Sequence, residues 1–107
     1  MALETEPGTL AVAATTANYS TANTVDWATG FYTEKSVIVS NTGAESATLR
    51  VRARVYEDGL WKTLQEGTLN AGADVIIYLE QWYHEVDIAV KDGSGHTAIT
   101  IDYGGRN

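Results

Sequence analysis

The chain has 107 residues, of which 44% are hydrophobic and 20% are charged, as expected for one soluble globular domain. It contains no cysteine, which excludes disulfide bonds and thiolate metal sites, so packing alone must hold the fold together. Fourteen acidic and seven basic residues give a net charge of −7. Because this charge repels phosphate groups, we expect no binding to nucleic acid or to anionic membranes.

The beginning of the chain, Met1 to Pro7, has neither the basic region nor the apolar region of a signal peptide. The longest strongly apolar run, Val75 to Leu79, is too short to span a bilayer. These features predict a protein that is made in the cytoplasm without a signal peptide and is not inserted in a membrane.

The first part of the chain, residues 1–30, is rich in Ala, Thr, Asn and Ser, and we interpret it as an N-terminal arm. Residues 9–15 could form a first strand. Residues 18–29 have the composition of a long polar connection, interrupted by Val25 and Trp27. Residues 31–107 are expected to form the body of a β-sandwich, so the chain makes one domain overall.

From residue 31 onward the apolar residues alternate with period two, which is typical of half-buried antiparallel strands. The clearest strand covers residues 49–56, with Arg50, Arg52, Arg54 and Tyr56 on one face and Leu49, Val51, Ala53 and Val55 on the other. The pair Asp58-Gly59 then predicts a type I′ hairpin that returns through residues 60–64.

The second half of the chain continues the same alternation. Further strands are predicted at residues 73–80, 86–90 and 96–103, whereas residues 81–85 fit a loop, a bulge or one helical turn. The tail 104–107 is expected to be a flexible end or a short clip. About seven short strands linked by short turns predict an all-β fold, a single antiparallel β-sandwich that is immunoglobulin-like or jelly-roll-like.

Two turn segments carry a resemblance to a known class of domains. Val37 to Gly43 (VIVSNTG) and Leu69 to Val75 (LNAGADV) resemble the strand-and-turn patterns of the immunoglobulin-like modules found in cell-surface and virion proteins. The resemblance covers residues 34–103, and it implies binding, spacing or decorating rather than catalysis. The cysteines of antibody-type domains are absent, which excludes that branch.

The residues that could support catalysis are few. His84 and His96 are the two histidines, and neither has the spacing of a zinc ligand set. Asp92, Ser94 and His96 lie close together, but glycines flank them in a turn, so we interpret them as turn residues and not as a catalytic triad. We therefore expect no enzymatic activity, no catalytic residue, no metal site and no cofactor.

The arginine stripe formed by Arg50, Arg52 and Arg54 allows two interpretations. It could form a charge ladder within the chain, because Glu85 and Asp87 on a following strand, and Asp102 on the last, have the parity to lie opposite. Alternatively, it could dock onto an acidic neighbouring subunit.

The aromatic residues Trp27, Trp61, Trp82 and Tyr83 form the second candidate site, since several of them fall at or beside turns. Core packing, a protein interface and a carbohydrate-stacking platform are all compatible with their positions.

Together these features favour a non-enzymatic structural or assembly protein, such as a multicopy virion component that decorates or cements a capsid. Its partners would be other protein subunits, in a homo-oligomer or a larger symmetric assembly, with the N-terminal arm lying over a neighbour. The predicted interface comprises Arg50, Arg52, Arg54, Trp27, Trp61, Trp82 and Tyr83. The alternative is a carbohydrate- or cell-surface-binding β-sandwich module that uses Trp61, Trp82 and Tyr83.

Overall fold

The computed structural model describes residues 8–106 and shows two four-stranded antiparallel sheets packed as a sandwich. The all-β prediction is confirmed, with eight strands instead of about seven. The expectations for Met1 to Pro7 lie outside the described residues. The elements are β1 (Gly8–Val12), a short 3-10 turn (Thr21–Asn23), β2 (Thr24–Ala28), β3 (Glu34–Asn41), β4 (Ala47–Arg54), β5 (Lys62–Leu69), β6 (Asp74–Leu79), β7 (Glu85–Asp92) and β8 (Ile99–Arg106).

The strand order is β1-β8-β3-β6 in the first sheet and β2-β7-β4-β5 in the second. The pairs β1–β8, β2–β7, β3–β6 and β4–β5 are nested, so the chain is one long folded hairpin whose tip lies between β4 and β5. Eight strands wound in this way form a jelly roll, whereas an immunoglobulin constant-type domain has seven strands in another order. Of the two predicted arrangements, the jelly roll is the one that the strand order shows.

The polar connection predicted at residues 18–29 is wrong, because this segment contains β2. The side chains of Val25 and Trp27 point into the core and are 5% and 4% exposed. The strand is short and its outward residues are Thr24, Asp26 and Ala28, so two large apolar positions are all that mark it in the sequence. The two apolar residues that interrupt the polar segment are therefore the buried positions of β2.

The flexible tail predicted at residues 104–107 is also wrong for the residues that the structure describes. Gly104 to Arg106 belong to β8 and pair with the beginning of β3. Gly105 is buried against Tyr32, and a Cβ at this glycine would lie 2.7 Å from the ring. The missing side chain is thus what allows the tyrosine to close over the strand.

The hairpin predicted after β4 is present, but its turn is longer than a two-residue type I′ turn. Residues 55–61 connect β4 to β5. Asp58 adopts the left-handed region with φ of 62°, whereas Gly59 does not, and a type I′ turn needs both. The amide of Gly59 donates to the carbonyl of Tyr56 at 3.0 Å, so a wider loop closes the hairpin.

The core lies between the inner faces of the two sheets. The alternation in β3 and β4 places one side of each strand in this layer, which explains the period-two pattern of the sequence. At one end Trp27 packs against Tyr32 and Tyr103, with ring centroids 6.0 Å and 5.0 Å away. Within residues 8–106, no helix has the length and apolar character required to cross a membrane.

A buried asparagine joins the loops at the other end of the sandwich. Asn41 is 1% exposed, and its amide donates to the carbonyls of Glu45 and Leu69 at 2.8 Å and 3.1 Å. Its oxygen accepts from the amide of Gly43 and the hydroxyl of Thr97 at 3.1 Å and 2.9 Å. All four hydrogen-bonding positions of the side chain are therefore satisfied.

Candidate functional site

The outer face of the second sheet carries the arginine stripe in a fixed network. We call this surface the arginine face; it comprises Tyr19, Asp26, Arg50, Arg52, Arg54, Trp61, Glu66, Glu85, Asp87 and Lys91. Arg52 Nη2 lies 3.1 Å from Asp87 Oδ2, and Arg54 Nη2 lies 2.6 Å from Glu85 Oε1. The strand register causes this, because each of these arginines is directly opposite its acidic partner on β7. The predicted ladder within the chain is confirmed for both acidic residues.

The ladder includes a weaker member and excludes one predicted partner. Arg50 Nη2 is 4.0 Å from Asp87 Oδ1, so two arginines share one carboxylate. The prediction for Asp102 is wrong, because β8 belongs to the other sheet. Its carboxylate instead accepts a hydrogen bond of 2.7 Å from the hydroxyl of Thr9 on β1.

Aromatic rings cover the guanidinium groups of the ladder. The Arg50 guanidinium carbon lies 4.1 Å from the ring centroid of Tyr19, and the Trp61 ring lies 4.6 Å and 4.7 Å from Arg52 and Arg54. Such cation–π contacts add to the ion pairs. Sequence reasoning missed Tyr19, because it precedes β2 in an irregular segment where no periodicity marks it. Its hydroxyl donates to Glu66 at 2.8 Å, which ties this segment to β5.

The acidic side of the arginine face contains a carboxyl pair. A hydrogen bond to Glu85, together with burial and the nearby negative charges, raises the pKa of Asp26 to about 6. The same hydrogen bond, with help from Arg54, lowers the pKa of Glu85. The pair therefore shares a proton in mildly acidic solution and loses it near pH 6.

The charges of the arginine face cancel. Its basic members are three arginines and one lysine, and its acidic members are two aspartates and two glutamates. The net charge of −7 of the whole chain therefore lies on the rest of the molecule. A second copy of the chain would be repelled by most of the surface, but not by this face.

A second candidate surface lies at one end of the sandwich, which we call the loop end. It consists of the connections 29–33, 55–61 and 80–84, which the strand register brings to the same end. These three connections carry large apolar side chains in solvent: Phe31 is 73% exposed, Val55 57%, Tyr56 62%, Leu60 92% and Trp82 48%. Large apolar side chains that are exposed at one end of a sandwich make this end a candidate surface for protein contact.

Hydrogen bonds to the frame hold the connections of the loop end. The ammonium of Lys35, which is 2% exposed, donates to the carbonyls of Gln81 and Tyr32 at 2.7 Å and 3.4 Å. Burial lowers the pKa of this lysine. The indole of Trp82 donates to the carbonyl of Gly30 at 2.8 Å. Phe31 and Trp82 are thus displayed on connections that hydrogen bonds hold in place, which reduces the entropic cost of binding at these two residues.

A groove of about 540 Å³ opens beside the loop end on the outer face of the first sheet. Gly104 and Ser36 lie directly opposite each other on β8 and β3, and Tyr78 of β6 continues the same row. The ion pair between Arg106 and Glu34 also lines the groove. The small residues between larger ones produce this depression, which extends the exposed aromatic surface towards β6.

The predicted aromatic residues occupy different environments. Trp27 is a core residue and cannot contact a neighbour in this fold, so for this residue the structure shows the core-packing alternative. Tyr83 is half-buried against the core, with Lys35 Nζ 5.5 Å from its ring centroid. Trp61 lies on the arginine face and Trp82 at the loop end. The three residues proposed for a carbohydrate platform therefore have three different surroundings.

The turn that contains Asp92, Ser94 and His96 does not assemble a nucleophile with its base. The Ser94 hydroxyl donates to Glu45 at 2.7 Å, while His96 Nδ1 lies 2.9 Å from Asp92 Oδ2. A hydrogen bond from Thr15 lowers the pKa of Asp92, and the contact with Asp92 raises the pKa of His96. No cluster of three or more metal-ligating side chains occurs in the part of the chain that the structure describes.

Comparison with known proteins identifies similar folds at low sequence identity. No family model and no curated protein matches the chain. The SPBc2 prophage-derived protein YomS is 16% identical over 98% of this chain and 96% of its own, with a TM-score of 0.65. The PBSX exported protein XepA is 13% identical over 95% of this chain, which spans 37% of XepA, with a TM-score of 0.58. A protein from Bacillus endospore appendages, described as disulfide-linked pili, is 9% identical over 96% of this chain and 87% of its own, with a TM-score of 0.56. At these identities the similarity shows that the chain shares a β-sandwich fold with prophage-derived and pilus proteins.

Proposed function

We propose that this protein is a non-enzymatic structural subunit of a multicopy assembly, and that it binds neighbouring copies through the loop end. The observation that carries the proposal is the group of five large apolar side chains exposed on three connections at one end of the sandwich. Tryptophan and tyrosine are enriched among the anchors of protein interfaces, and Trp82 and Tyr56 are of this kind, while the other three side chains add exposed apolar surface.

The arginine face contributes less to this contact than the sequence suggested. Arg52 and Arg54 have acidic partners within the chain at 3.1 Å and 2.6 Å and aromatic cover from Trp61. An acidic neighbour would have to displace those partners before it could bind them. The main driving force of assembly is therefore apolar burial, not ion pairing.

A virion component, as a decoration or cement subunit, is the specific form of the proposal. It is supported by the fold that the chain shares with a prophage-derived protein over nearly the full length of both chains. The pilus protein with the same fold is described as disulfide-linked, but this chain has no cysteine. In the proposed assembly, copies of the present chain are therefore held together without disulfide bonds.

Sedimentation equilibrium from about 1 μM to about 1 mM protein tests the proposal, since this range covers association free energies of about −4 to −8 kcal/mol. We expect the average mass to rise above that of the monomer with concentration. A double variant, Phe31→Ser with Leu60→Ser, should weaken the association at least about tenfold. Leu64→Ser on β5 is the matched control, because this leucine is exposed but belongs to a strand and not to the three connections of the loop end.

Two results would contradict the proposal. One is a monomer over the whole concentration range. The other is a double variant that is folded by circular dichroism and associates as strongly as the unmodified protein.

A further inference from the structure

A jelly roll leaves four edge strands, and among the described residues β5 has the clearest protection against pairing with another chain. The edge strand β5 contains a bulge opposite Val51 and Arg52 and carries Lys62 and Glu66. Within residues 8–106 the edge strands β1 and β2 are five residues long, one residue shorter than β6, and β2 carries Asp26. Bulges, charges and short length are the ways in which proteins block strand edges.

The remaining edge strand, β6, pairs with β3 without a bulge and carries a single charge. Its sequence, DVIIYL, is β-prone, and its acidic residue stands at the first position. Ile76 and Tyr78 are 55% and 69% exposed on the outer face of the sheet. Ile38 on β3 lies directly opposite Ile76 and is 40% exposed, so the apolar strip extends onto the neighbouring strand.

We propose that β6 pairs with β6 of a second copy of this chain, antiparallel and about a two-fold axis, joining two first sheets into one of eight strands. This inference deepens the proposed function, since it names a second contact between copies. The backbone groups of β6 that face away from β3 supply the hydrogen bonds, and the apolar strip supplies the buried surface.

The charges of the strand select the register of this pairing. In an antiparallel pair, residues directly opposite each other face the same side of the sheet. The two-fold axis therefore passes between one residue and the same residue of the second copy. Centring on Ile77 would place Asp74 opposite Glu80 of the second copy, twice, and like charges in that position are destabilising. Centring on Val75 would place the charged Asp74 opposite the apolar Ile76 of the second copy, which is a second conflict.

Centring on Ile76 avoids both conflicts. It stacks Ile76 on Ile76 of the second copy and places Asp74 beside Tyr78, while Glu80 lies opposite Gly72. The register centred on Ile76 is therefore the one that the proposal specifies.

The contact at β6 is centred on Ile76, whereas the loop end begins just beyond the last residue of this strand, Leu79, so the two contacts adjoin but have different centres. A single two-fold interface closes a dimer, whereas two separate interfaces on each copy link copies into a larger assembly. The two surfaces together therefore account for a multicopy structure.

Single-cysteine variants test the register directly, because the chain has no cysteine of its own. Under mild oxidation Ile76→Cys should give a disulfide-linked dimer, since opposite Cβ atoms are about 5 Å apart. In Tyr78→Cys the two cysteines would be four residues out of register, about 13 Å apart. We expect Ile76→Cys to cross-link at least about tenfold faster than Tyr78→Cys. Ala11→Cys on the edge strand β1 measures random collisions.

Equal rates for the three variants, or a faster rate for Tyr78→Cys, would overturn the inference. Sedimentation separates the two proposals. If the unmodified protein associates but Ile76→Cys shows no preference, the β6 contact fails and the proposed function stands. If the protein is a monomer throughout, both fail. Ile76→Lys, at an exposed position, should weaken association without unfolding the chain.

Discussion

A double-mutant cycle on Arg52 and Asp87 tests whether the arginine stripe is an internal ladder. At 3.1 Å and an effective dielectric constant of about 20, the attraction is about 5 kcal/mol before the cost of desolvation. The side chains are 29% and 8% exposed, so the pair lies between the surface pairs worth about 0–1 kcal/mol and the buried ones whose disruption costs about 3–5 kcal/mol. We expect a coupling free energy of about 2 kcal/mol.

The measurement is urea unfolding followed by tryptophan fluorescence for the unmodified protein, Arg52→Ala, Asp87→Ala and the double variant. Asp87→Ala should be the more destabilising of the two single changes, because Arg50 also loses its acidic partner. It should lower the free energy of unfolding by about 3 kcal/mol. The slope of the unfolding free energy against urea concentration should be the same for all four proteins, so that a difference in the unfolding midpoint reports a difference in stability. The Arg106–Glu34 pair, 56% exposed on both sides, is the control and should couple by less than about 1 kcal/mol.

A coupling free energy within about 0.3 kcal/mol of zero would refute the ladder. The stripe would then be held by its aromatic cover alone, and its charges would be available to another chain.

Three further predictions concern the stability of the fold. Asn41→Leu should destabilise the fold by about 3 kcal/mol in thermal or urea unfolding, because two buried and two partly buried hydrogen bonds are lost. Asp26 holds a proton in the folded state up to about pH 6 that the unfolded chain releases near its ordinary pKa of 3.8, so stability should fall as pH rises through this window. Asp26→Asn should flatten the profile and stabilise the protein at pH 8, by about 1 kcal/mol after allowance for solvent screening. Gly43→Ala should cost more than about 2 kcal/mol, since its Cβ would collide with Thr97 and lie 2.6 Å from a backbone nitrogen; Gly67→Ala, with open space around it, should be within about 0.5 kcal/mol of neutral.

The strands that alternate over their full length could be predicted from the sequence. In β3 and β4 every second residue is buried, so the pattern shows the strand directly. The ladder followed from parity for the same reason. In contrast, β2 has only Val25 and Trp27 as buried positions among small or polar neighbours, which is too few to separate a short strand from a loop.

The loop end could not be predicted in the same way. Phe31, Leu60 and Trp82 are far apart in the sequence, and only the nested pairing of the strands brings their connections to one end. Similarly, Trp27 and Trp82 have the same chemistry, yet one fills the core and the other is half exposed. Which aromatic residues reach solvent depends on topology, which a single sequence does not specify.

The salt dependence of self-association tests the central claim most directly. Apart from the neutral arginine face, the chain carries a net charge of −7, and repulsion between copies is screened over about 10 Å at 0.1 M salt and about 3 Å at 1 M. If copies associate through the apolar loop end, sedimentation equilibrium should show tighter association at 1 M than at 0.1 M, and Phe31→Ser with Leu60→Ser should weaken it at both. Association that weakens as salt rises would contradict the account, because ion pairs and not apolar burial would then hold the copies together.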